Sequence, residues 1–160
     1  MISFEILKKY SSRDLADINR LIPQIAEKPH LLSPRELQCV LNEGAHCNLV
    51  IARDQERKRI AGMAAVTFAR VPTGLLAMVE DVVVDSDYRG MGIGAKLTKQ
   101  LISLAKKRKA KHVSLTTNPA RTAANAMYKK LGFFLKETNY YRINLHLPKP
   151  NLVRMKSEKH

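Results

Sequence analysis

The chain has 160 residues, enough for one domain whose core needs no disulfide or metal. Apolar residues make up 45% and charged residues 26%, and no apolar run approaches the about 20 residues of a membrane span, which excludes a disordered or helix-spanning class. The formal net charge is +14, and it is concentrated: residues 1–88 carry 11 Lys/Arg and 12 Asp/Glu, residues 89–136 carry 12 Lys/Arg and no acid, and residues 137–160 carry 5 and 2. A basic block attracts phosphates, so a nucleic acid, an anionic membrane and a phosphorylated cofactor are the partners to separate.

Met1–Glu5 lacks a basic stretch followed by an apolar one, so no signal peptide is expected. Cys39 and Cys47 fit no zinc or redox spacing, and reduced thiols in a cytoplasmic protein are the expectation. Residues 2–8 alternate apolar and polar and predict a strand. Ser12 can cap a helix carrying Leu15, Ile18, Leu21, Ile22 and Ile25 on one face, which Pro23 should kink or split. Ser33-Pro34-Arg35-Glu36 has the form of a capping box and predicts a second helix, stopping at Gly44. Residues 48–53, 60–70 and 75–85 predict three strands joined by tight turns, hence antiparallel neighbours. A glycine-rich loop, Arg89–Gly94, then enters a helix with Leu97, Leu101, Leu104 and Ala105 at helical spacing. A short strand is predicted at His112–Thr117, a helix from Pro119 to Leu131-Gly132, and closing strands at Phe133–Leu135 and Tyr140–Leu147. The order predicts an α/β (α+β) fold, with a mixed, mostly antiparallel sheet of about six or seven strands and helices on both faces. Residues 1–147 form the expected single domain, and 148–160 the expected flexible tail.

The glycine loop is the first chemical signal. A strand, a glycine turn and a helix start make an anion site, because the first N–H groups of a helix have no internal partner and the dipole favours negative charge there. Gly90-Met91-Gly92-Ile93-Gly94-Ala95 loosely satisfies a dinucleotide fingerprint. That site also needs an acid about 20 positions on, and residues 89–136 contain none. A P-loop fails as well: Gly90 and Ala95 break its spacing, and Lys96-Leu97 lacks the hydroxyl for a metal.

Arg89-Gly90-Met91-Gly92-Ile93-Gly94 matches the R/Q-x-x-G-x-G/A signature of GCN5-related N-acetyltransferases (GNAT), and Asn125–Phe133, with its Tyr and closing L-G-F, resembles the family's second motif. The resemblance is firm over about residues 60–145. It implies transfer of an acetyl group from acetyl-CoA to a primary amine in a ternary complex, without a metal. It also implies that the backbone of Val82, Val83 and Val84 pairs with the pantetheine arm, and that Arg89, Gly90, Met91, Gly92, Ile93, Gly94 and Ala95 cradle the pyrophosphate. Asn118 and Asn125 would contact the arm from the other side, and Tyr128 would sit near the thioester sulfur. Many members carry an Asn seven residues before the Tyr; here that position is Arg121 and its role is unassigned.

Amine acetylation needs a proton taken from the amine, an oxyanion stabilised and a proton given to the thiolate. Tyr128 is the candidate for the last step, against a packing role as one more aromatic. Glu80 is the candidate base or water relay, against a structural ion pair; Asp81 and solvent stay open as alternatives. Strand alternation places Glu80 on one face with Met78, Val82 and Val84, and Asp81 on the other. The run Glu80–Val84 resembles the matching strand of the glucosamine-phosphate-acetylating branch; histone-type members carry the base two residues earlier, here Met78. His30, His46 and His112 show no metal spacing. Lys106–Lys111 has two readings, a solvated helix end and an attractor for the nucleotide end of CoA. Two other functions compete: a regulatory module that binds acyl-CoA with little turnover, and a nucleic-acid-associated basic protein. Tyr128 argues against the first. The second lacks exposed aromatics interleaved with the basic stripe. The expected partners are acetyl-CoA or CoA and an amine-bearing acceptor, with no membrane; homodimer assembly stays open.

Overall fold

The computed structural model describes residues 1–26, 28–44, 46–143 and 145. The tail predicted from residue 148 lies outside them. Its sheet has five strands in the order β1-β2-β3-β4-β5: β1 (Ile2–Ile6), β2 (Cys47–Asp54), β3 (Arg59–Val71), β4 (Gly74–Val84) and β5 (Val113–Ser114). The first four are antiparallel, and β5 runs parallel to β4. Helices α1 (Ser12–Leu21) and α2 (Pro34–Asn42) precede β2; α3 (Ile93–Lys107) and α4 (Thr122–Lys130) flank β5 in the chain.

Local chemistry sets the helix ends. Ser11 caps α1 and Ser33 caps α2, each with a complete capping box, through Asp14 and Glu36. The α1 cap is Ser11 rather than Ser12. Pro23 divides the first helical stretch as expected, into α1 and a 3-10 turn at Ile22–Gln24. Glycine 132, with φ +92°, ends α4: the N–H of Gly132 donates to Lys129 O and that of Phe133 to Tyr128 O, a Schellman stop.

Two apolar layers cover the two sheet faces. One joins Val50, Ala52, Val66, Phe68, Ala77 and Val79 to Ile93, Leu97 and Leu101 of α3. The other joins Leu49, Ile51, Met63 and Ala65 to Ile18 and Leu21 of α1 and Leu37 of α2. Gly62 permits the close approach of β3 to β4, since a Cβ there would lie 2.8 Å from the Val83 carbonyl oxygen.

Three expectations change. The described residues form five strands, not six or seven. None lies in 133–143, and part of the predicted Tyr140–Leu147 strand falls outside the described residues. The reason is visible at Phe133. Its N–H serves the α4 stop, and its ring packs edge-on against Tyr128 at 5.7 Å, which ties it to the helix instead of the sheet. Phe134 and Leu135 beyond it are 84% and 92% exposed. The strand predicted over His112–Thr117 shrinks to two residues, and α4 begins at Thr122, because Pro119 lies in a turn closed by Arg121 N–H donating to Asn118 O at 3.0 Å.

Candidate active site

The site is built where β4 and β5 part. They pair only at Ala77↔Val113 and Met78↔Ser114. Beyond Met78 the β4 edge facing β5 has no ladder partner among the described residues, so the main chain of the segment ending in Val82, Val83 and Val84 borders a split in the sheet.

A bulge shapes this segment. The register jumps from Ala65↔Glu80 to Met63↔Val83, so β4 holds one residue more than β3. Asp81 takes up the excess with φ +50°, a left-handed conformation that Asp tolerates better than most residues. Alternation is thereby reset: Ala77, Val79, Val82 and Val84 all pack toward α3, and Val83 packs toward α1 and α2. The expected grouping of Glu80 with Val82 and Val84 is therefore corrected. Glu80 pairs with Ala65 and shares the α1/α2 face with it.

Glu80 is half-buried and Asp81 exposed. Burial, then the neighbouring charge of Asp81, raises the Glu80 pKa above the usual carboxylate range. Crowding of the Asp81 carboxyl by surrounding protein raises its pKa too. Cys47 lies in the same electrostatic neighbourhood. Burial raises its thiol first, and the charges of Asp81, Glu43 and Glu80 raise it further, which makes it a poor nucleophile.

The glycine loop follows a buried anchor. Asp85, 3% exposed, ion-pairs with Arg20 of α1, lies 3.8 Å from Arg59, and accepts the Asp87 N–H at 3.2 Å. Burial opposes its ionisation, but the Asp87 N–H and the two guanidiniums outweigh it and hold the pKa low. Tyr88 is buried and donates to Asp54 at 2.8 Å. Gln24 Oε1 accepts from the Ser86 N–H and from Arg89 Nη2, both at 3.2 Å, and Arg89 Nε donates to Val84 O. Sequence reasoning missed Arg20, Gln24 and Asp85 as loop supports. A polar residue at a strand end ahead of a turn was the one available signal, at Asp85.

Gly90 and Gly92 have φ +78° and +72°, and a Cβ on either would meet nothing within 4 Å. Gly92 is the N-cap of α3 and gives no side-chain cap bond, so the first N–H groups of α3, at Ile93, Gly94 and Ala95, lack partners within the helix. This open cradle of donors fits a diphosphate. Gly94 differs: a Cβ there would stand 3.3 Å from Met127 Sδ, so this glycine lets α4 approach α3.

On α4, Tyr128 is half-buried. Burial raises its phenol pKa and the charge of Arg121 lowers it. The predicted contacts Asn118 and Asn125 also build the turn. Asn118 Oδ1 accepts the Ala120 N–H at 2.8 Å, and Asn125 Nδ2 donates to Asn118 O at 3.0 Å and to Arg121 O at 2.9 Å. A Cβ on Gly94 would stand 3.6 Å from Val84 Cγ2 as well as 3.3 Å from Met127 Sδ, so β4, the start of α3 and α4 meet at this glycine. A separate depression of about 660 Å³, lined by residues including Lys8, Leu41, Leu104 and Arg108, lies at the other end of α3 and holds no acid–base pair. No helix among the described residues is long and apolar enough to cross a membrane.

Comparison with known proteins bears on the family and the fold. The model of the acetyltransferase (GNAT) family matches residues 13–133. Glucosamine 6-phosphate N-acetyltransferase 1 of Oryza sativa subsp. japonica is 32% identical over 136 residues, covering 77% of this chain and 79% of the relative. N-alpha-acetyltransferase 30 of Schizosaccharomyces pombe is 31% identical over 126 residues, covering 78% and 80%. The crystal structure of a Trypanosoma brucei acetyltransferase superposes with a TM-score of 0.75 at 26% identity, over 91% of this chain and 100% of that one.

Proposed function

Because the chain belongs to the acetyltransferase (GNAT) family, we propose that it moves an acetyl group from acetyl-CoA directly to a primary amine held in the same complex. The observation that carries this reading is the cradle of glycine-loop donors at the start of α3, next to Val84 where β4 parts from β5. Residues Arg89 to Ala95 hold the pyrophosphate through main-chain N–H groups at the start of α3. The β4 edge at Val82, Val83 and Val84, which β5 leaves uncovered, accepts the pantetheine arm as an added strand would be accepted, with Arg89 releasing the Val84 carbonyl. Asn118 and Asn125 line the opposite wall.

In the chemical step the amine attacks the thioester carbon. Glu80, with its pKa raised by burial, takes the amine proton directly or through a water. Tyr128, still protonated at neutral pH, gives its proton to the departing sulfur. The two relatives named above differ in acceptor, one by name a phosphorylated amino sugar and the other an N-alpha amine. Likeness therefore fixes the reaction class ahead of the acceptor. The test is a panel of glucosamine 6-phosphate, spermidine, amino acids and a peptide with a free α-amine, read by thiol release from acetyl-CoA and by the mass of an acetylated product. The expected result is thiol release dependent on one amine class. Tight acetyl-CoA binding with no release above the amine-free rate for any class would refute the enzyme reading.

A further inference from the structure

Three lysines gather where two helices supply no acid. A depression of about 380 Å³ lies between α3 and α4, lined by Lys99, Ile102, Ser103, Lys106, Lys130 and Leu131. Ile102 and Leu131 are half-buried, and the three lysines are exposed. Residues 89–136 contain no Asp or Glu, so neither helix brings a counter-charge to the depression. Among the described residues no ion pair or hydrogen bond holds the ammonium of Lys99, Lys106 or Lys130. The helix dipole accounts for part of this pattern. Lys106 and Lys130 lie in the last turns of α3 and α4, where a cation is favoured. Lys99 stands in mid-helix and has no such support. Three like charges around one depression repel each other unless an anion settles among them.

Position says which anion. Ala95, the last of the open donors at the start of α3, shares a stripe with Lys99, Ile102 and Lys106 at spacings of four, three and four. Lys99 is thus one turn, about 6 Å along the axis, from the cradle. On α4, Met127 is the residue that a Cβ on Gly94 would meet at 3.3 Å, and Lys130 and Leu131 follow it by three and four residues, one turn on along the same side. Both helices therefore lead from the cradle into the depression. A ligand with its pyrophosphate on Arg89 to Ala95 and its arm along β4 carries its nucleotide on the remaining phosphate. In CoA that nucleotide bears a further phosphate on the ribose 3′ oxygen, one sugar away.

We propose that the depression between α3 and α4 is the site for the 3′-phosphate of the acetyl donor, held by Lys99, Lys106 and Lys130, and that it selects a CoA thioester over a donor lacking that phosphate. The inference rests on the acetyl-CoA reading above. An ammonium on a long stem acts as a point charge toward a phosphate, so the three can converge without the fixed geometry a guanidinium requires. Ile102 and Leu131 offer the adjoining sugar and purine an apolar surface.

The test compares CoA with 3′-dephospho-CoA, which differs by that phosphate alone. Calorimetry on the whole chain is run in about 0.1 M salt, where charges beyond about 10 Å are screened. The unsubstituted protein should bind CoA about tenfold more tightly, from three exposed charge contacts. Lys99→Gln, Lys106→Gln and Lys130→Gln should each weaken CoA binding about twofold to fivefold. The triple variant should bind both ligands alike and keep its dephospho-CoA affinity within about twofold. Lys8→Gln, Lys9→Gln and Lys111→Gln together remove the same charge from exposed positions outside the depression, and should keep the preference for CoA. Equal affinity of the unsubstituted protein for the two ligands overturns the inference and leaves the acetyl-CoA reading in place. So does a preference that the first triple variant retains, or one that both triple variants lose, which would assign it to the overall field. Binding of neither ligand removes the acetyl-CoA reading and this site with it. With saturating acetyl-CoA and the most active amine, the first triple variant should keep its kcat; a fall in kcat with unaltered CoA binding also overturns the proposal. Should that variant melt below assay temperature, the three single substitutions against the two ligands decide the same question.

Discussion

Glu80 and Asp81 are adjacent in sequence but unequal in setting. Glu80 is half-buried on the α1/α2 face, and its carboxyl is raised by burial and by the charge next to it. A base must be deprotonated to act, so rate should fall as pH drops through its folded pKa. Because that pKa is raised, the acidic limb should lie above the range of an ordinary carboxylate. Glu80→Gln should lower turnover about 10²-fold with little change in acetyl-CoA affinity. Asp81→Asn removes the neighbouring charge while keeping a residue that accepts φ near +50°. It should shift the acidic limb downward and spare most of the activity. A profile indifferent to both substitutions would pass the base role to solvent.

At the scale of elements, Gly92 and Gly94 have different jobs within one turn of helix. Gly92→Val places a branched side chain at φ +72° with no protein atom near it, so its damage should fall on the phosphate cradle. Calorimetry on the folded variant should show acetyl-CoA binding weakened roughly tenfold or more. Gly94→Val meets Met127 instead and should also lower the melting temperature, since α4 must back away. An unaffected affinity in Gly92→Val would dismiss the loop as cradle. The elements that were legible from sequence carry their own punctuation: the Ser33-Pro34-Glu36 start of α2, the split at Pro23, the glycine loop entering α3. The bulge at Asp81 was illegible because alternation counting assumes one residue per register step, and only the partner strand reveals the extra one. The predicted strand at Phe133–Leu135 failed for a tertiary reason, the Schellman stop and the Tyr128 contact. Of the site, the motif residues were readable. The supports at Arg20, Gln24 and Asp85 join segments about 60 residues apart, and no local pattern links them.

Across the whole molecule the charge is divided. The basic block from 89 to 136 comprises the glycine loop, α3, β5 and α4, the elements around the proposed cofactor cleft, and the near-neutral first 88 residues supply α1, α2 and most of the sheet. Exposed lysines such as Lys96, Lys99 and Lys106 are screened by salt within about 10 Å at 0.1 M. The acetyl-CoA KM should therefore rise with ionic strength while kcat stays nearly flat. A KM independent of salt would return the lysines to the role of a solvated surface.

Under the proposed function, the bulge in β4 divides one strand between two kinds of recognition. Along the split the strand offers main-chain atoms, which are nearly the same whatever side chains follow. On the α1/α2 face it offers Glu80 and its neighbours, which differ with every substitution. With the donor held on the split as proposed, mutation on the other face can explore new amines without first losing it. Lineages built on this strand can diverge in what they modify while the donor they inherit stays constant.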